Sequence, residues 1–94
     1  TSRDHLYPSS WAALEETYPR LKSGLWNLEA PTQRILDWCQ SRDVACLNLL
    51  PIFEVDRDSG GERLHYVHDG HWTAAGHALA ARAAAQFILR ESLL

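Results

Sequence analysis

The chain has 94 residues, 46% hydrophobic and 22% charged, enough for one small domain and not two. Nine Lys and Arg stand against twelve Asp and Glu, for a net charge of −3, and no basic cluster occurs, which argues against nucleic acid or an anionic membrane surface as partner. No apolar run approaches the ~18–20 residues of a membrane span, and there is no repeat or low-complexity tract.

Thr1-Ser2-Arg3-Asp4-His5 lacks the pattern of a signal peptide. The sequence contains no methionine, so the expectation is a processed product or a piece of a longer protein, with residues 1–94 forming a single partial domain. Two cysteines, Cys39 and Cys46, make no disulfide framework. Cys39 reads as helical and Cys46 as part of a strand, so they are expected as small apolar core residues without a mutual bridge.

Tyr7-Pro8 is expected to be extended, because the residue before a proline is pushed out of the helical region. Ser9 or Ser10 can cap a first helix running to about Leu21, with Trp11, Leu14, Tyr18 and Leu21 as its buried stripe. Pro19 bends it or ends it early, and Lys22-Ser23-Gly24 is a stop signal. A second helix opens at Pro31, which suits a first turn where a missing N–H costs nothing. Its apolar face is Leu28, Ile35, Leu36 and Cys39, with Ser41-Arg42-Asp43 as the turn out.

Val44-Ala45-Cys46-Leu47-Asn48-Leu49-Leu50 is almost continuously apolar, as expected of a strand covered on both faces in a parallel sheet. A helix and a buried strand joined by a short turn make half of a β-α-β unit. Pro51 ends the strand and Ile52 to Val55 continue irregularly. Asp56 to Arg63 form a polar surface loop without the ligand order of a calcium loop. A last helix is predicted from Thr73, a plausible N-cap, to about Leu89. Its packed face is Leu79, Ala80, Ala83, Ala84, Phe87 and Ile88.

Four of the five histidines fall between His65 and His77, in a stretch that ends on the start of this last helix. Asp69 lies two residues before His71. An Asp-x-His in a turn can set a carboxylate beside an imidazole, fixing its tautomer and stabilising the imidazolium, while the other ring nitrogen faces a nucleophile. Capping and loop hydrogen bonding are the structural alternative for the same pair. His65, His68, Asp69, His71 and His77 also have the donor chemistry of a zinc site, but their spacing matches no metal-ligand motif and no metal is assigned. An interaction module is a third reading.

Asp69-Gly70-His71-Trp72-Thr73-Ala74-Ala75-Gly76-His77, followed by Ala80-Ala81, resembles the C-terminal block of SGNH (GDSL-type) hydrolases. The resemblance extends over about residues 27–90. It implies an α/β fold: the C-terminal part of a flavodoxin-like three-layer α/β/α sandwich, helix-rich, with about one confident parallel strand. It also implies serine-dependent ester hydrolysis or acyl transfer without a cofactor. Asp69 would orient His71, His71 would be the general base, and His68 and Trp72 would be candidate walls of the site. The commoner family spacing is Asp-x-x-His; the shorter form here is similar to relatives of alginate O-acetyltransferases and keeps His68 as a second candidate for the base. No Gly-Asp-Ser nucleophile turn and no Gly-x-Asn segment occur in the chain. The serine is therefore expected from outside it, with the N-terminal part of the same hydrolase domain as partner. An ester-containing small molecule or O-acylated glycan is the implied substrate, and the chain alone is expected to be inactive.

Overall fold

In the computed structural model, which describes residues 1–94, Ser2 opens a short helix, α1 (Arg3–Leu6), its hydroxyl accepting the His5 N–H at 3.2 Å. Tyr7 is extended before Pro8 (φ −111°, ψ 104°), as the proline requires. Pro8 begins α2 (Pro8–Thr17). That helix stops four residues short of the expected Leu21, because Pro19 starts a separate 3₁₀ turn (Pro19–Ser23) that Gly24 closes at φ +71°. The stripe expected to be buried on α2 is not: no residue of the helix is buried, and Tyr18 is exposed. The second predicted helix is present as α3 (Ala30–Ser41), with proline in its first turn.

The expected strand does not form. Val44 to Leu49 belong to no helix or strand, and Leu50 already starts a helix, α4 (Leu50–Asp58). Pro51, read as a strand end, sits in that helix's first turn, where it is tolerated. The Asn48 side chain accepts the Leu50 N–H at 3.1 Å just ahead of it. Leu50 and Phe53, three residues apart, then turn one helical face inward. A strand exists only through its neighbours. The main-chain N–H and C=O groups of residues 45–48 have no main-chain partner.

The fold is therefore built of helices alone, with one isolated antiparallel bridge, His65 to Trp72. The expectation of an α/β, flavodoxin-like sandwich is overturned on this point. The long helix α5 (Ala74–Arg90) follows the prediction closely, and Thr73 caps it, its hydroxyl accepting the Gly76 N–H at 3.2 Å. Ala80 and Ala83 are its buried positions besides Gly76.

The core is small. Leu6, Leu50, Phe53, Leu64 and Ala80 cluster together, with Tyr7, Leu49, Trp72, Ala75 and Leu79 against them. Only α1, α4 and α5 contribute helices to it, and α3 packs on no other helix. The radius of gyration is 15.2 Å, against about 12 Å for a compact domain of this length. The accessible surface is 6921 Å², where a folded monomer of this mass would show about 5,500 Å². No helix is long and apolar enough to cross a membrane.

Candidate functional site

Residues 66–71 form a tight loop held at its neck. The His65–Trp72 bridge closes its base, and the Tyr66 N–H donates to the His71 carbonyl at 2.8 Å. Gly70 turns the chain at φ +75°, a conformation that side-chain-bearing residues rarely adopt. The Arg3 guanidinium braces the loop from outside by donating to the Val67 carbonyl at 2.8 Å. Beyond Trp72 the chain runs directly into the cap of α5: the Thr73 N–H donates to the Leu64 carbonyl at 3.0 Å, and the Thr73 hydroxyl donates to the Arg63 carbonyl at 2.6 Å.

Asp69 and His71 are brought together at the tip of this loop. One carboxylate oxygen of Asp69 accepts the His71 N–H at 2.8 Å, a local turn typical of aspartate. The same oxygen lies 3.4 Å from His71 Nδ1, an ion-pair contact just beyond ordinary hydrogen-bond length. The His71 N–H, first among the causes, holds the Asp69 carboxyl below its ordinary 3.8. Both side chains are open to solvent, Asp69 58% and His71 83% exposed. No serine hydroxyl is hydrogen-bonded to His71. His68, the other candidate for the base, is exposed and has no polar partner within the chain.

Trp72, read as a candidate wall, faces inward. Its ring lies 5.4 Å from that of Phe53 and 5.5 Å from that of His77. His77 is thus occupied on the tryptophan. His65 is fully buried, with Nε2 placed 3.2 Å from the Thr1 carbonyl and Nδ1 without any partner. A carbonyl can only accept, so Nε2 carries the proton and Nδ1 is a bare acceptor. Burial, the largest effect, pushes the His65 imidazole below 6.5. The histidines of the stretch are therefore in different surroundings, and no three His, Cys, Asp or Glu side chains converge in an arrangement that could hold a metal. Cys39 and Cys46 are free thiols, and the hydrogen bond to Cys46 pushes the Cys39 thiol up.

One feature near the loop left no trace in the sequence pattern. Arg3 and Arg63, 60 positions apart, line one open cavity of about 360 Å³ together with Ser9, Ser10, Thr17 and Val67. Neither residue belongs to a motif or a periodic stretch, so only the folded chain reveals the pairing.

The chain matches no family model, no well-characterised protein and no solved structure.

Proposed function

We propose that Asp69 and His71 are the orienting carboxylate and general base of a site that cleaves or transfers an ester-linked acyl group, with the nucleophilic serine supplied by polypeptide outside these 94 residues. The observation that carries this reading is the placement of the pair. Asp69 lies against the Nδ1 side of His71 on a loop pinned at its neck, while the rest of the imidazole projects into solvent. In such an arrangement Nε2 accepts the proton of a serine hydroxyl as its Oγ attacks the ester carbonyl. The resulting imidazolium is stabilised by Asp69, and the proton passes to the leaving alcohol as the tetrahedral intermediate collapses. No cofactor is needed for these steps. The substrate class is an ester-bearing small molecule or an O-acylated glycan.

The serine, the oxyanion donors and the base act as a unit, so the 94-residue chain alone is expected to show no appreciable ester turnover. In the longer protein, His71→Ala should lower kcat/KM by about 10⁴-fold or more, and a serine-directed phosphonate should label a residue beyond the 94. Robust turnover that survives His71→Ala would falsify the assignment.

A second reading, a non-catalytic interaction fragment, is favoured by a separate observation. The surface exceeds that of a compact monomer by roughly 1,400 Å², more than the ~800 Å² per partner of a standard interface. Much of the unpacked apolar surface lies between Tyr18 and Val44, including Trp26, Ile35 and Trp38, with the unpaired main chain of residues 45–48 following. Sedimentation of the chain with and without the remainder of its protein tests this reading: a 1:1 complex that Trp38→Ser weakens supports it, and an indifferent Trp38→Ser rules it out.

A further inference from the structure

Resting on the reading of Asp69 and His71 as a reactive pair, we infer that the cavity lined by Arg3 and Arg63 binds an oxyanion, a carboxylate or phosphate carried by the ester substrate. The cavity is about 360 Å³, within the ~300–1,000 Å³ of small-molecule sites. No carboxylate lines it.

The two guanidiniums are fixed before any ligand arrives. Arg3 donates twice to one carboxylate oxygen of Asp4, at 3.0 and 2.9 Å, and once to the Val67 carbonyl at 2.8 Å. Asp4 thus offsets much of the Arg3 charge. Arg63 differs. Its Nε donates to the His65 carbonyl at 3.0 Å, and its guanidinium lies 4.2 Å from the Tyr7 ring centroid. It has no carboxylate partner, and its two terminal nitrogens make no hydrogen bond within the chain. These form the planar fork that suits a carboxylate or phosphate. The hydroxyls of Ser9 and Ser10 are likewise without partners and line the same cavity.

A second cavity, beside α5, also holds two arginines, but there Arg90 is paired with Glu91 and the remaining lining is mostly apolar. The Arg3–Arg63 cavity is also the one joined to the reactive loop. Val67 lines it, and a Cβ placed on Gly70 would lie 3.9 Å from the Arg3 Cβ. An ester anchored by an anionic group on Arg63 would be held beside the loop that presents Asp69 and His71.

The test is a titration of the 94-residue chain with inorganic phosphate and, separately, acetate, followed by NMR at the Arg63 Nε–H and the Ser9 and Ser10 amides. Saturable shifts are expected at these groups in the millimolar range. Tighter binding of phosphate would identify a phosphate-bearing substrate, and tighter binding of acetate a carboxylate-bearing one. Arg63→Gln should weaken binding by about 10-fold or more, the weight of one charge-assisted hydrogen bond. Arg63→Lys should retain part of it, and Arg82→Gln should change nothing. Absence of saturable shifts at these groups, or equal binding by a folded Arg63→Gln chain, overturns the site. If Arg63→Gln unfolds the chain, the Arg63→Lys comparison decides instead: full affinity there overturns the fork. His71→Ala leaves phosphate binding intact, so the two readings fail separately. Anion binding with turnover indifferent to His71 removes the reactive pair, and turnover that needs His71 without anion binding removes the cavity.

Discussion

Phe53 and Trp38 are both large aromatics on helices, and they stand in opposite surroundings. Phe53 on α4 is 0% exposed, wedged among Leu6, Leu50, Leu64 and Ala80 and against the Trp72 ring. Trp38 on α3 is 56% exposed on a helix that packs on no other. The first region is a core built from the two ends of the chain, with α1 on one side and α4, the His65–Trp72 neck and α5 on the other. The second, residues 18–49, leaves Tyr18, Leu25, Trp26, Ile35, Trp38 and Val44 exposed and buries only Cys39. Folding stability therefore resides in the first region, and that region also holds the Asp69–His71 loop. A rigid neck under an exposed tip is what the proposed chemistry needs, because the base must be oriented yet reachable.

Substitution on either side of the divide measures how sharp it is. Phe53→Ala should cost about 3–5 kcal/mol, the range for deleting a buried phenylalanine, which is a large fraction of what so small a core can supply. Trp38→Ala should cost less, roughly 1 kcal/mol, because more than half of its surface is already in water. Urea unfolding monitored by far-UV circular dichroism gives both values. Similar losses at the two positions would mean that α3 is packed as tightly as α4 and would erase the distinction.

Gly76 tests the seam between the neck and α5. Exchanging glycine for alanine inside a helix ordinarily gains about 1 kcal/mol. Here a Cβ would run into the Leu64 main-chain carbonyl and stand 3.1 Å from the Trp72 Cβ. Main chain cannot rotate away as a side-chain tip can, so the clash should win. Gly76→Ala is expected to lose about 2–3 kcal/mol, with Ala78→Gly, exposed on the same helix, as a control that loses only about 1 kcal/mol. A neutral or stabilising Gly76→Ala would show that α5 is not seated against Leu64.

His65 gives the neck a pH dependence. Its folded pKa lies below 6.5 because burial disfavours the imidazolium. The unfolded chain therefore takes up a proton first as the pH falls, and stability declines from about 6.5 down to the folded value. The slope is at most about 1.4 kcal/mol per pH unit. Arg3, Arg63 and the Thr1 amino group act in the same direction, and the Thr1 carbonyl in the opposite one. His65→Phe should flatten the unfolding profile between pH 7 and 5 relative to the native chain. An unchanged slope would relocate the titrating group.

Several local signals in the sequence survived folding, although the cap expected at Ser9 or Ser10 and the buried stripe of α2 did not, and the long-range inference failed. The cap at Thr73, the face of α5 around Ala80 and Ala83, the proline start of α3 and the stop at Gly24 each depend on residues within a few positions of one another. The strand over Val44 to Leu50 depended on neighbours that the chain does not place beside it, so the apolar run was left unpaired and its end was taken into α4. Leu6 entered the core from a segment without period, which no pattern could announce. The approach of Asp69 to His71 was legible because two residues and a glycine turn enforce it. The Arg3–Arg63 cavity was not, because it joins positions 60 apart.

The smallest expected effect concerns Asp69 itself. Its carboxylate is favoured chiefly by the His71 N–H and only secondarily by the imidazole. Asn keeps an acceptor oxygen for that N–H, so Asp69→Asn should preserve the turn and lose only the charge. A folded pKa below 3.8 means that Asp69 contributes stability at neutral pH which is lost as the pH falls through that value. The native chain and Asp69→Asn should accordingly differ slightly at pH 7 and converge at strongly acidic pH. Carboxyl NMR should place the Asp69 midpoint below 3.8, moving up toward it when Gly70→Pro distorts the turn. A midpoint at or above 3.8 in the native chain would mean that the His71 N–H does not hold the carboxylate in solution. The loop tip would then be as loose as the surface around Trp38, and the contrast between the two regions would stop at the neck.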